Sequence, residues 1–234
     1  MSAGPPVVGV DGCKGRWLVV RRRPGVGATA ELVDDLAPLV DAVRLGGIAA
    51  LAVDMPIGIL DHHPRAADVA ARRLLGPRRS SVFPAPVRPV LAAADYDEAR
   101  ARSRASTGVA PSRQTFNLVP AIVHLDALVE PDDQGRLVEA HPELAFARLA
   151  AGDDALPAPL GDPKRTAAGR RRRRELLLDH DPTLAPVLDD SPLPTIDLLD
   201  AAALTVTAER VVSGTDRRLG DERDHLGRRV EIVW

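Results

Sequence analysis

Two aspartates follow short apolar runs in the first quarter of the chain, and their position is the first sign of chemistry. Asp11 follows "VVGV" and Asp54 follows "IAALAV". A carboxylate at the end of a buried strand is costly, because burial disfavours its charged form. If the two strands are parallel neighbours, the carboxylates repel each other and one is pushed towards protonation. A hard divalent cation such as Mg²⁺ removes that conflict, since it binds carboxylates together with water and phosphate oxygens.

Two further segments place acids where they could join this pair. Glu139 lies near the end of the apolar stretch "RLVEA", and Glu143 follows about one turn later. In "PTIDLLDAAALTVTAERV", Asp200 falls on an otherwise apolar helical stripe, beside alanines that allow close packing, whereas Asp197 falls in the first turn. Each acid also has an ordinary interpretation. A strand-end acid is commonly a turn cap or an ion-pair partner, and an acid in the first helical turn complements the helix dipole.

These acids require a particular set of elements to position them. Hydrophobic patterning predicts three antiparallel strands, a helix, and a fourth strand parallel to the first, at residues 7–10, 17–20, 28–33, 36–45 and 48–53. A fifth strand is expected at 137–140 and a terminal strand at 230–233. Further helices are predicted at 64–75, 96–107, 112–129, 166–178 and 194–212, with irregular structure at 76–90 and a loop at 151–163.

The composition of the chain limits the classes of function that it can have. The 234 residues, with a formal net charge of −2, suit one domain over 1–234 that does not coat nucleic acid through bulk positive charge. The single cysteine, Cys13, excludes a disulfide framework and a zinc deaminase. There is no P-loop motif and no G-x-S-x-G elbow, and the chain has room for only one lobe of a two-lobed ATPase. No apolar run is long enough to cross a membrane and no signal peptide is recognisable, so the cytoplasm is the expected location. Oligomeric state stays open, a homodimer included.

Basic and polar residues that could hold a phosphate lie in several segments. They are Lys14, Arg78, Arg79, Ser80, Ser81, Gln114, His141, Glu143, Lys164 and Arg170. The irregular stretch around Arg78 could present guanidinium groups, hydroxyls and backbone N–H groups to a phosphate. The ordinary alternatives are a solvated loop there and a solvated basic face around Arg170, because five consecutive arginines cannot all face one way on a helix.

Taken together, these segments resemble one family. "VGVDGCKGRW", "VDMPIG", "GPRRSSVFPAPVR", "SRQTFNLVPAI", "VEAHPELAF" and "IDLLDAAALTVTA" are similar to the DUF429 family over roughly residues 7–213. That family has no known function, and its members are described as predicted RNase H-like nucleases. The resemblance implies an α/β fold, with an RNase H-like mixed five-stranded sheet of three antiparallel strands and then parallel strands. It also implies flanking helices and a helical insertion at about 60–130.

The resemblance implies roles for the acids. Asp11 and Asp54 match the first two metal-site acids, Glu139 matches an acid of the fifth strand, and Asp200 matches the acid of the last helix. Glu143 remains an alternative to Glu139, and Asp197 remains an alternative to Asp200. The implied reaction is two-metal phosphodiester hydrolysis with Mg²⁺ or Mn²⁺, acting on nucleic acid or another phosphoester. The rival interpretation is a binding protein that keeps this fold and recognises a nucleotide or small anion without turnover.

Overall fold

A five-stranded mixed sheet lies at the centre of the fold. The computed structural model describes residues 4–152, 157 and 159–234. The strands are β1 (Val7–Cys13), β2 (Arg16–Arg23), β3 (Gly27–Val33), β4 (Ala50–Val53) and β5 (Leu137–Glu139), in the order β3-β2-β1-β4-β5. β1 to β3 are antiparallel, whereas β4 runs parallel to β1 and β5 runs parallel to β4. The predicted fold class, an RNase H-like α/β arrangement, is confirmed.

Helices cover both faces of the sheet. They are α1 (Ala37–Arg44), α2 (Ala66–Leu75), α3 (Arg88–Leu91), α4 (Tyr96–Thr107), α5 (Arg113–Asn117), α6 (Val119–Leu128), α7 (Pro142–Ala151), α8 (Ala167–His180), α9 (Ala185–Asp189) and α10 (Thr195–Ser213). α1 and α6 pack with Val8, Val10 and Val53 on one face. α7, α8 and α10 cover the other face, where small alanines predominate. Within the described ranges, no helix combines the length and apolar character needed to cross a bilayer.

The helix α10 approaches the sheet very closely at Gly9. A Cβ atom placed on Gly9 would lie 2.0 Å from the carbonyl oxygen of Ala201 and 2.7 Å from the backbone nitrogen of Thr205. Real Cβ atoms do not approach that closely, so only glycine fits between β1 and α10. This contact holds the middle of α10, and with it Asp200, against the strand that ends near Asp11.

Two predicted elements differ from the structure, and a third lies partly outside the described residues. The helix expected at 112–129 is two helices, α5 and α6, which meet at Leu118; Pro120 lies in the first turn of α6, where its missing N–H is tolerated. The irregular stretch at 76–90 contains a 3₁₀ turn (Gly76–Ser81) and the start of α3. Part of the loop expected at 151–163, residues 153–156 and 158, lies outside the described residues.

The C-terminal segment forms a hairpin instead of a lone strand. β6 (Arg218–Arg223) pairs antiparallel with β7 (Arg229–Val233), and the turn is closed by Asp224, whose carboxylate accepts the N–H groups of Leu226 and Arg228 at 3.0 Å. β6 reads "RLGDER", which lacks the apolar alternation that marks a strand. Val233 also bridges in parallel to Ala140, so the hairpin extends the edge of the main sheet beside β5.

Candidate functional site

The site begins with the register between β1 and β4. Val10 pairs with Val53, and the N–H of Asp54 donates to the carbonyl oxygen of Val10 at 2.9 Å. Asp11 and Asp54 are therefore the next residues on two neighbouring parallel strands. Side chains alternate along a strand, so both share the face of Gly9 and Ala52, which is the face covered by α10. The predicted meeting of these two aspartates at one end of the sheet follows directly from this register.

A third carboxylate reaches the same place from α10. Asp200 is 1% exposed, and its charge raises the pKa of Asp11. Burial is the largest cause of that rise, followed by the charges of Asp54 and Asp200, and together they raise the pKa of Asp11 well above its usual value. Burial also raises the pKa of Asp54, and it raises the pKa of Asp200 to about 6. Three acids far apart in sequence thus share one electrostatic environment.

Lys164 supplies positive charge to this cluster. Its Nζ donates to Oδ2 of Asp200 at 2.6 Å, and its charge lowers the pKa of all three aspartates. Burial tends to lower the pKa of Lys164, but the acids outweigh it and the pKa is raised. Oδ1 of Asp200 is buried and has no hydrogen-bond partner in the described part of the chain. The acid cluster therefore consists of Asp11, Asp54 and Asp200, with the Lys164 ammonium bound at one edge.

A cavity of about 180 Å³ opens beside the acid cluster. Predicted site residues that line it are Asp11, Asp54, Ser81, Gln114, Glu139, His141, Glu143 and Lys164. The other lining side chains include Met55, Asp68, Phe83 and Leu118. A second cavity of about 460 Å³ shares Gly12, Met55 and Leu118 with the first and holds Lys14 at its wall. The two cavities are therefore neighbours.

Glu139 reaches the cavity from the opposite face of the sheet. The sequence predicts it beside Asp54, but in the register it pairs with Val53, and Leu137 on the same side of β5 packs with Val53. Both carboxylate oxygens accept from Nη2 of Arg65 at 2.7 Å, and one also accepts the N–H of Ile57 at 2.7 Å. Burial raises the pKa of Glu139 to about 8, while Arg65 opposes that rise. Ala140, which directly follows β5, is the residue that lies level with Asp54.

His141 and Glu143 are both held by other protein groups. Nδ1 of His141 accepts the N–H of Glu143 at 3.2 Å as the cap of α7, which leaves Nε2–H to donate to the carbonyl oxygen of Ser81 at 3.2 Å. The carboxylate of Glu143 accepts two bonds from Arg173, at 2.7 and 2.8 Å, and both side chains are buried. His141 thus fixes the 76–81 turn against α7, and Glu143 holds α8 in place.

The predicted basic contacts divide into two groups. Arg78 donates to the carbonyl oxygens of Leu160 and Gly161, and Arg170 donates to that of Arg165, so both serve to fasten chain segments. Arg79 and Ser80 are exposed outside the cavity lining. Of the arginine run, the buried Arg173 contacts Glu143, and its neighbours pair with Glu175 and Asp189. Lys164 is thus the cationic side chain that the described residues place in the cavity wall beside the acids.

Sequence reasoning overlooked two residues at this site. Arg65 is 1% exposed and pairs with Glu139; its only sequence signal is a lone arginine after Pro64 at a helix start. Phe83 lies on the cavity rim and is 37% exposed. Its signal is an aromatic residue within a stretch rich in serine and proline, in a chain with 3% aromatic residues.

The described residues, 4–152 with 157 and 159–234, contain no group of three or more His, Cys, Asp or Glu side chains that stands ready to hold a metal ion. The donor chemistry is nevertheless that of a hard-cation site, because the cluster offers carboxylate oxygens, one of them unpartnered. The ammonium group of Lys164 now supplies the positive charge that such a cation would bring.

The strand order, together with the acids on β1, β4 and the last long helix, defines an RNase H-like α/β protein with an acidic cavity at one end of its sheet. The chain belongs to the DUF429 family, whose model is described as a protein of unknown function and matches residues 9–225. No curated protein and no solved structure matches the chain significantly.

Proposed function

We propose that this protein hydrolyses phosphodiester bonds with the help of a divalent cation held by Asp11, Asp54 and Asp200. The observation that carries the proposal is the convergence of the carboxylates of Asp11 on β1, Asp54 after β4 and Asp200 on α10, all with raised pKa values, beside a cavity that Asp11 and Asp54 line. Such an arrangement costs stability in the absence of a cation, and costly clusters of this kind are concentrated at functional sites.

The donor set supports Mg²⁺ or Mn²⁺ over softer metals. All three side chains offer hard oxygen ligands, and Oδ1 of Asp200 has no competing partner among the described residues. Binding requires Lys164 to leave Oδ2 of Asp200, since Nζ lies 2.6 Å from that oxygen. Lys164 is 36% exposed and can swing towards the cavity, where its ammonium group would meet a substrate phosphate.

The bound ion supplies Lewis acidity and lowers the pKa of a water molecule. The chain's own residues position the substrate. Ser81 and Gln114 line the cavity and can donate to phosphate oxygens, as can Lys164 once it is released. His141 is an unsuitable proton carrier, because both of its ring nitrogens are engaged by backbone groups.

The number of ions depends on Glu139. A two-ion site would need a fourth carboxylate, and Glu139 would first have to release Arg65 and the N–H of Ile57. Removing one partner from a buried pair is costly, so the geometry favours one ion on the three aspartates, with Glu139 holding Arg65 in the adjoining wall. Calorimetric titration of Mn²⁺ into the wild type and Glu139→Gln gives the stoichiometry directly.

The test is a cleavage screen of single-stranded, duplex and branched DNA and RNA with Mg²⁺ or Mn²⁺. We expect cleavage by the wild type and at least a 100-fold loss in Asp11→Asn and Asp54→Asn, because each interaction removed belongs to the charge-stabilising set. Asp97→Asn is the matched control, since Asp97 is an exposed acid that pairs with Arg100 and lines neither cavity. Unchanged cleavage in Asp11→Asn would refute the assignment.

One observation favours the rival function, ligand binding without turnover. Lys164 already supplies a positive charge to the acid cluster, which a metal-free binding site would need. The rival predicts thermal stabilisation by nucleotides in EDTA and no additional stabilisation by Mg²⁺. The hydrolase predicts stabilisation by Mg²⁺ or Mn²⁺ alone, which is lost in Asp11→Asn.

A further inference from the structure

Phe83 is the most exposed of the chain's six Phe, Trp and Tyr rings, and it lines the cavity. All six aromatic residues belong to the described ranges. Trp17, Phe146 and Trp234 are buried, and Tyr96 and Phe116 pack against each other with ring centroids 5.5 Å apart. Phe83 is 37% exposed and lines the same cavity as Asp11 and Asp54.

The exposure of Phe83 does not arise from a loosely held loop. Before it, the carbonyl oxygen of Ser81 accepts from His141, and that of Val82 accepts from Arg72 at 2.6 Å. After it, the N–H of Ala85 donates to the buried carboxylate of Asp68 at 2.8 Å. Pro84 follows directly and fixes its own φ. The backbone is therefore fastened on both sides of a ring that faces solvent at the cavity rim.

A polar side chain without a hydrogen-bond partner among the described residues lines the same cavity. Gln114, in the first turn of α5, lines the cavity and is exposed, and its amide makes no hydrogen bond within the described residues. A carboxamide offers one acceptor and a pair of donors, which match the polar edge of a nucleobase. An aromatic face beside a free amide is the combination with which proteins stack and read unpaired bases.

We propose that Phe83 and Gln114 form a subsite for an unpaired nucleobase, which makes the substrate a single-stranded nucleic acid or its end. The base would stack on Phe83 while the adjoining phosphate lies at the acid cluster. A base inside a duplex has both faces covered by its neighbours, so a paired strand cannot use this ring without unstacking. The inference rests on the proposed function, because it assigns the substrate of the same cavity.

Binding without turnover tests the subsite independently of cleavage. The probes are short fluorescent single strands of equal length and charge, one carrying bases and the other carrying abasic residues. Binding is measured by anisotropy in EDTA with the wild-type chain, and again in the Asp11→Asn chain, which has less repulsive charge in the cavity. We expect the abasic strand to bind roughly 5- to 100-fold more weakly, the loss that accompanies one base–aromatic stack.

Substitutions at Phe83 and Gln114 test whether these residues cause the preference for the base-bearing strand. Phe83→Ala should bind both strands equally, Phe83→Trp should keep the preference, and Gln114→Ala should change the order of preference among the four bases. Leu45→Ala is the matched control, because Leu45 is an exposed apolar residue that lines neither cavity. Circular dichroism and melting confirm that each variant is folded.

The outcomes separate the two proposals. Equal affinity for the two strands, no measurable binding of the base-bearing strand by the Asp11→Asn chain, or a preference that survives in Phe83→Ala overturns the subsite. A base preference that depends on Phe83, without cleavage under any metal, keeps the subsite and refutes the hydrolase. Cleavage of base-bearing and abasic strands at the same rate keeps the hydrolase and refutes the subsite.

Discussion

Lys164→Met should destabilise the metal-free protein, because it removes the one ammonium group that pairs with Asp200. The substitution keeps a long, flexible side chain and deletes its charge. Asp200 is 1% exposed, and its carboxylate would lose the only hydrogen bond that it makes in the described structure, while Asp11 and Asp54 would lose a charge that lowers their pKa values. Protonation of one aspartate would recover part of the loss.

The size of the effect follows from the burial of the two partners. Breaking a fully buried ion pair costs about 3–5 kcal/mol, and an exposed pair contributes about 0–1 kcal/mol. The Lys164 side chain is 36% exposed and that of Asp200 is 1% exposed, so we expect a loss of about 2 kcal/mol in unfolding free energy. For a chain of this size that corresponds to a fall of about 4–8 °C in Tm.

The assay is thermal and urea unfolding in EDTA, followed by titration with Mg²⁺. Lys14→Met is the matched control, because Lys14, the other lysine, is exposed in the β1–β2 turn and makes no ion pair among the described residues. Adding Asp200→Asn to Lys164→Met should restore most of the lost stability. Mg²⁺ should bind Lys164→Met more tightly than the wild type, because it no longer competes with the ammonium group.

Two results would refute this reasoning. An unchanged Tm in EDTA would mean that Lys164 does not balance the cluster. Loss of the Mg²⁺ response in Lys164→Met would mean that Lys164 supports the cation-bound state and does not compete with it.

Other predictions concern the residues that position the site. Gly9→Ala should destabilise the protein by about 3 kcal/mol in urea unfolding and weaken Mg²⁺ binding, because the new Cβ would push α10 away from β1; a normal Tm would contradict this contact. Arg65→Met should cost about 3–5 kcal/mol by leaving Glu139 buried and unpaired, and Glu139→Gln in the same chain should recover part of it. A hydrogen bond with His180, and then one with Arg22, lowers the pKa of Glu209 to about 2, so its contribution is complete above about pH 4.5 and disappears as pH falls towards 2. Glu209→Gln should flatten that part of the plot of unfolding free energy against pH, and an unchanged slope would count against it.

The sequence was sufficient for the parts of the fold that rest on long apolar runs. β1 and β4 are buried on both faces, so their runs of valine, leucine and alanine identify them, and the parallel register then places Asp11 beside Asp54. β6 could not be identified in this way, because its stability comes from pairing with β7 and from the Asp224 turn.

The sequence did not specify the face of the sheet from which Glu139 enters the cavity. Side chains alternate between the faces of a strand, and Glu139 on β5 is level with Val53 instead of Asp54, while its role as a metal ligand stays a prediction. The register of β5 depends on tertiary packing that a single sequence does not specify. Nor could composition reveal which of many arginines would enter the core, so the pairing of Arg65 with Glu139 needed coordinates.

The charge balance of the cavity bears on the choice between the two functions. With all three aspartates ionised, the acid cluster exceeds Lys164 by two negative charges, and Asp68 in the lining adds the same sign. Glu143 is matched by Arg173, while Glu139 and Asp68 share Arg65. A phosphate approaching the metal-free cavity therefore meets net repulsion, whereas a divalent cation offsets the excess of the three aspartates over Lys164. The proposed function links the raised pKa values to the cation: without a cation the cluster favours protonation, and with one the cavity would attract a phosphodiester.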